Sequence, residues 1–192
     1  MKAINLSVLL GLLLGLSNMS WGQAFSKGDV TMSVTLGASH FWHLRGGYYS
    51  PGPGYVWGGG GLSPVSGNAF FTMEFAPGRY VGAGFFAGIG GSAFGWGSIN
   101  VPVGGFANFH FYQLIADKTG NDIHADKLDI YAGLNIGTGL GFWPGFSSQR
   151  ANAIIFGGPT AGIRYYFKPN IAVTGELGYG KTLFSAGITF KL

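Results

Sequence analysis

Residues 28–40, GDVTMSVTLGASH, decide how the rest of the chain is to be read. Val30, Met32, Val34, Leu36 and Ala38 share one face of an extended segment, opposed by Asp29, Thr31, Ser33, Thr35, Gly37 and Ser39. Successive side chains of a strand point to opposite sides, so this two-residue period predicts a strand with one apolar and one polar face. Residues 128–138, LDIYAGLNIGT, repeat the pattern: Leu128, Ile130, Ala132, Leu134 and Ile136 stand against Asp129, Tyr131, Gly133 and Asn135.

Six further segments follow the same alternation outward from these two. They cover residues 68–76, 80–90, 101–112, 153–167, 171–179 and 184–192, with apolar rows such as Phe71, Met73, Phe75 and Val81, Phe85, Ile89. Pro159 lies inside the sixth segment and has no amide to give a ladder, so a bulge or broken pairing is expected there. Segments of this length suit tilted strands crossing a hydrocarbon layer, which takes about 9–11 residues.

Alternation does not say which face is outside, because a soluble lipocalin-type barrel has the same period with its apolar side turned inward. Charge separates the two. Only 9% of the 192 residues are charged, against roughly 25% in an ordinary soluble domain, while aromatics reach 16% and 37 positions are Gly. The polar faces hold little beyond Asp29, Glu74, Asp129, Arg164, Glu176 and Lys191, too few for a water-facing exterior. Small polar side chains suit a narrow lumen, and the apolar rows suit lipid, where closure satisfies every backbone group. The expected fold is therefore all-β: an eight-stranded antiparallel up-and-down transmembrane β-barrel over residues 23–192.

Residues 1–22 read as a cleavable signal peptide, with Lys2, an apolar run over residues 6–16, and small Ser20 and Gly22 before Gln23. That run is too short for a membrane-spanning helix of about 20 residues. An exported chain with both termini in the periplasm places the turns at residues 77–79 and 168–170 on the periplasmic side. The longer stretches at 41–66, 91–98 and 139–152 then face outward. Residues 114–126 make a long periplasmic turn, and Gly180 and Lys181 a short outer one. Phe41, Trp42, Trp96, Trp143, Phe109, Phe111, Tyr165 and Phe167 fall near strand ends, where interfacial girdles belong. The net charge of +4 comes from scattered residues with no basic run, which argues against nucleic acid. The lack of cysteine excludes disulfides and thiolate metal sites.

At the C-terminus, Ser185, Gly187, Phe190 and Leu192 follow the spacing polar-x-Gly-x-x-apolar-x-apolar, which resembles the signal read by the outer-membrane barrel-assembly machinery. Leu192 departs from that signal, whose last residue is more commonly Phe. With the leader and eight strands, the chain resembles the small OmpA/OmpX-like barrels of the outer membrane protein beta-barrel domain group. The resemblance implies a monomer without cofactor, surrounded by outer-membrane lipid, often with no assigned activity.

Two groups of residues are candidates for function. Arg164 lies between strands carrying Asp129 and Glu176, which suggests an internal ion-pair cluster around Arg164 and a second near the seam joining Lys191 to Asp29, with Glu74 on the same inward face. Residues 40–62 hold Trp42, His43, Arg45, Tyr48, Tyr49, Tyr55 and Trp57 among Gly and Pro, a surface loop able to contact an extracellular ligand. His40 and His43 lack a third ligand for a metal, and no cofactor site is expected. The expected role is non-catalytic, structural or surface-interacting. The alternatives are a small-solute channel and a lipid-modifying enzyme, for which no G-x-S-x-G motif occurs.

Overall fold

The computed structural model describes residues 23–39, 42–43, 66–92, 98–120, 124–142 and 152–192. Eight long strands form one sheet: β1 (Val30–Ser39), β2 (Ser66–Phe75), β3 (Val81–Ser92), β4 (Ser98–Phe109), β5 (Leu128–Phe142), β6 (Asn152–Lys168), β7 (Ile171–Gly178) and β8 (Phe184–Lys191). Each is antiparallel to its neighbour in sequence, and β1 also pairs with β8 through Thr31↔Lys191 and Ala38↔Phe184. That pairing closes the sheet and removes its edges. The first strand starts beside the ends of β2 and β8, so both ends of the described chain lie at one rim, here the terminal end.

The polarity is reversed relative to a soluble protein. Val34, Phe85 and Leu134 are 53%, 48% and 67% exposed. Thr31, Ser33, Thr35, Thr72, Asn108, Thr174 and Thr189, which alternate with residues of the outer rows, are buried. The Val, Leu, Ile and Phe of the outer rows form an exposed belt, as a lipid-facing surface requires. No helix among the described residues is long and apolar enough to cross a membrane.

Strand lengths are unequal. The 17 residues of β6 and 15 of β5 stand beside strands of 8 residues in β7 and β8. At about 3.4 Å per residue, β6 outreaches β7 at the loop end, and its pairing with β7 stops at Thr160↔Gly178. Trp42 and His43 form a two-residue strand on Ile155 and Ile154, covering part of the edge that β7 leaves open.

Two local expectations are corrected. The β5–β6 register runs unbroken through Leu134↔Pro159, so no bulge forms there and the register shift falls instead between Tyr166 and Lys168 on the β7 side, while the β6–β7 pairing does break beside Pro159, ending at Thr160↔Gly178. Pro159 is tolerated because its missing amide faces the place where β7 has already ended. Tyr179 N–H still donates to the Pro159 carbonyl (2.9 Å). The Tyr179 carbonyl, which a Pro amide cannot serve, accepts from Asn135 Nδ2 at 3.1 Å.

The second correction concerns residues 110–119. Strand β4 ends at Phe109, and Phe111–Thr119 form a helix, α1, where a strand end and a long turn were expected. Gln113 and Ala116 supply its buried face, Lys118 complements the dipole in the last turn, and Gly120 closes it in the left-handed region (φ 64°). The short turn between β7 and β8 falls at the loop end as expected, and its residues Gly180, Lys181 and Thr182 are buried. Ser39 Oγ donates to the Lys181 carbonyl, and Lys181 N–H donates to Asn135 Oδ1 at 3.1 Å.

Candidate functional site

The inward side chains stack in layers from the terminal end to the loop end. The lowest layer begins with the segment before β1. Asp29 pairs with Lys191 at 2.8 Å and accepts the Ser26 amide at 2.7 Å, which bends residues 23–29 back under the barrel. Lys191 Nζ also donates to the Gln23 carbonyl (2.9 Å), and Ala24 N–H donates to the Ala125 carbonyl (2.8 Å). Phe25 is thereby pressed into the mouth, its ring 3.4 Å from and nearly parallel to that of His110.

Helix α1 is clamped to the same rim through Asp117. Its carboxylate accepts from Tyr80 Oη (2.8 Å) and Gln23 Nε2 (2.8 Å) and pairs with Arg79 Nε (2.8 Å). The Tyr80 hydrogen bond, above all, holds the Asp117 carboxyl below its ordinary value, and the same bond pushes the Tyr80 hydroxyl up.

Above the mouth lies a charged network. Arg164 reaches Glu74 at 2.5 Å and Asp129 at 3.3 Å. His110 places Nδ1 2.8 Å from Asp129 and Nε2 3.2 Å from Glu74. Only an imidazolium can donate from both nitrogens, so this geometry fits a charged ring. Asn108 Nδ2 gives Glu74 a further hydrogen bond at 2.7 Å. The network has space because Gly82 stands opposite it, where a Cβ would come within 2.2 Å of Glu74 Oε1. The Arg164 guanidinium lies over the Tyr131 ring, 4.4 Å from its centroid.

The next layer holds Glu176, which accepts from Tyr131 Oη (2.9 Å) and pairs with Lys181 (2.6 Å). Glu176 is thus not a partner of Arg164, although their strands are adjacent. Its cation arrives from the inturned loop after β7. Arg164 instead reaches across the lumen to Glu74. With His110 charged, the carboxylates of Asp29, Glu74, Asp129 and Glu176 face as many cations: Arg164, Lys181, Lys191 and His110. Mutual neutralisation of this kind makes buried charges tolerable.

Toward the loop end the lumen holds an apolar layer, against the expectation of small hydrophilic groups throughout, with Ser39, Asn68 and Asn100 buried beyond it. Phe70, Phe86, Ile154 and Phe156 form a buried cluster with Phe106 packed against it. Lys181 Nζ stands 5.7 Å from the Phe86 ring centroid and 5.8 Å from that of Phe106. Bulky aromatics fit here because they face inward Gly: a Cβ on Gly104 would lie 2.5 Å from Phe86, and one on Gly137 2.4 Å from Phe156.

Sequence reasoning missed Lys181, His110 as a cluster member, and the Phe layer. Phe70, Phe86 and Phe156 each stand out of phase with the outer apolar rows, and that signal was available. Of the loop candidates, Trp42 and His43 lie in the short pairing with β6. Arg45, Tyr48, Tyr49, Tyr55 and Trp57 lie outside the described residues, as does His40. Ser185, Gly187 and Phe190 are on the closing strand, Ser185 turned inward, and Leu192 N–H donates to the Val30 carbonyl. Among the described residues no group of three His, Cys, Asp or Glu could hold a metal.

No protein-family model matches the sequence, and no curated protein is similar to it. Solved structures do match. OprG from Pseudomonas aeruginosa aligns over 88% of this chain and 97% of its own, with 11% identity and a TM-score of 0.53. The fold is that of the small outer-membrane β-barrels. The attachment invasion locus protein Ail of Yersinia pestis aligns over 86% of this chain and 99% of its own, at 13% identity and a TM-score of 0.50. The N-terminal β-barrel domain of OprF from Pseudomonas aeruginosa also covers 86% of this chain and 98% of its own, at 13% identity and 0.50. The apolar belt and this fold are those of a barrel that spans a bilayer.

Proposed function

We propose that this outer-membrane barrel is a closed, non-catalytic scaffold that presents its loop end to a partner outside the cell. The filled lumen carries this reading. Phe25 and α1 cover the terminal end, the Arg164 network occupies the middle, and Phe70, Phe86 and Phe156 fill the region below the loops. Eight strands enclose little more than side chains, so such a stack opposes axial passage of a solute. His110 has carboxylates at both ring nitrogens and is buried, which leaves it unsuited to activate a hydroxyl.

The contact surface is residues 40–62, whose aromatics suit a ligand or a host surface. A structural neighbour, Ail, carries attachment in its name. Within the same reading, residues 1–22 are a leader removed on export, the barrel is a monomer, and Ser185, Gly187, Phe190 and Leu192 are read by the assembly machinery. Deletion of residues 46–61, in a barrel that still migrates as a folded species on unheated gels, is expected to abolish adhesion of cells that display it. The intact barrel is expected to give no unitary conductance in planar bilayers. Conductance from the intact barrel, or undiminished adhesion after the deletion, overturns the proposal.

A further inference from the structure

The terminal rim differs in charge from the belt beside it. Below the outer row of Phe75, Val81, Phe109, Tyr165 and Phe167, which faces lipid, the exposed surface changes to cations. Lys27, Arg79, Lys118 and Lys168 are all exposed there. Of the other described cations, Arg164, Lys181 and Lys191 are buried in ion pairs, and Lys127 is half-buried just before β5. Among the described carboxylates of this end, Asp29 is spent on Lys191 and Asp117 on Arg79, Tyr80 and Gln23, while Asp126 stands half-buried before β5.

Helix α1 continues the lipid belt at the same level. It follows lipid-facing Phe109 with one residue between, and it buries Gln113, which donates to the Ala125 and Leu128 carbonyls. Positions 111, 115 and 118 share the opposite face at helical spacing, so Phe111, Ile115 and Lys118 line up there. Ile115 is 46% exposed. A helix that turns a Gln inward and an Ile outward is inverted in the same sense as the barrel wall. An apolar strip ending in Lys is the pattern of an element lying within a headgroup layer.

We infer that the terminal rim binds anionic phospholipid: α1 lies in the headgroup layer of the periplasmic leaflet, with Ile115 toward the acyl chains, and Lys27, Lys118 and Lys168 engage the phosphates. The occupant is a lipid because this surface is continuous with the belt that already meets acyl chains. It is anionic because, among the described residues, exposed cations there outnumber unspent carboxylates. Each cation beside an anionic surface adds about fivefold to occupancy, so loss of all three reduces the preference by up to about a hundredfold.

The test uses the full barrel with phosphatidylglycerol and phosphatidylcholine as probes. Purified barrel equilibrated with an equimolar mixture is examined by native mass spectrometry. Phosphatidylglycerol is expected to be retained in preference, and the Lys27→Gln/Lys118→Gln/Lys168→Gln variant to lose that preference while remaining heat-modifiable. The chain has no cysteine, so a spin label at Ile115→Cys gives an independent readout in phosphatidylglycerol-containing vesicles. The label is expected to collide more with oxygen than with a water-soluble nickel chelate. Equal retention of both lipids by the unmodified barrel, an unchanged preference in the triple variant, or a label freely accessible to the chelate overturns the inference.

Discussion

Replacing Arg164 by Met tests the central network most directly. Arg164 is 2% exposed and faces carboxylates of two strands, Glu74 at 2.5 Å and Asp129 at 3.3 Å. Met keeps much of the apolar stem but removes the charge, leaving two buried carboxylates with one cation, His110, between them. Breaking a buried pair from one side costs about 3–5 kcal/mol. Because His110 still touches both acids, the lower end applies, about 3 kcal/mol, or roughly a hundredfold in the folding equilibrium. Urea unfolding in phospholipid vesicles, followed by tryptophan emission and gel mobility, should show the midpoint fall by about 1–3 M. The Arg164→Met/Glu74→Gln/Asp129→Asn variant should recover most of the loss, since no unpaired carboxylate is left and His110, freed of both anions, can give up its proton. A loss under about 1 kcal/mol for the single variant, or a triple variant no better than the single, would refute the view that the network is held by mutual neutralisation.

Three other outcomes follow from neighbouring contacts. Gly82→Ala puts a methyl 2.2 Å from Glu74 Oε1 and 2.9 Å from His110 Nε2, and should cost about 1–3 kcal/mol in the same unfolding assay; an unchanged midpoint would mean that the carboxylate moves freely. Asn135→Ala strands the Tyr179 carbonyl and the Lys181 amide, for about 1–3 kcal/mol, with faster amide exchange at residues 179–183 than elsewhere in the barrel. Asp117 titrates below its ordinary 3.8 because Tyr80 donates to it, so its hold on α1 is complete above that value and is lost as the pH falls through the lower, folded one. The Gly120 amide signal should therefore shift between pH 4 and more acidic solution in the parent barrel, and Asp117→Asn should remove that step; a step that persists in the variant assigns it to another group.

The two-residue period is a local property, and so were the positions of the eight strands and the reversal of their polarity. Val34, Phe85 and Leu134 could be placed outside because a chain with so few charges cannot clothe those strands for water. The proximity of Arg164 to Asp129 is also near-local, since their strands are consecutive and the two residues are register partners. Helix α1 had a local signature too, in Gln113, Ala116, Lys118 and Gly120, but Phe109 and Phe111 extend the strand alternation across its start. The competing period obscured it.

What only the tertiary structure decided is what meets across the lumen. Glu74 comes to Arg164 from a strand 90 residues away in sequence, and Glu176 takes Lys181 from a loop that folds inward. Closure fixes a diameter at which opposite walls touch, and no period along one strand encodes that distance. The Phe70, Phe86 and Phe156 layer follows from the same cause: a narrow barrel must fill its own axis, and Gly on the facing strands leaves the room. Sequence determined which side of each strand meets lipid, because transfer energies act residue by residue. Packing across a closed sheet determined which buried charge neutralises which, because that depends on distances set only when β1 meets β8.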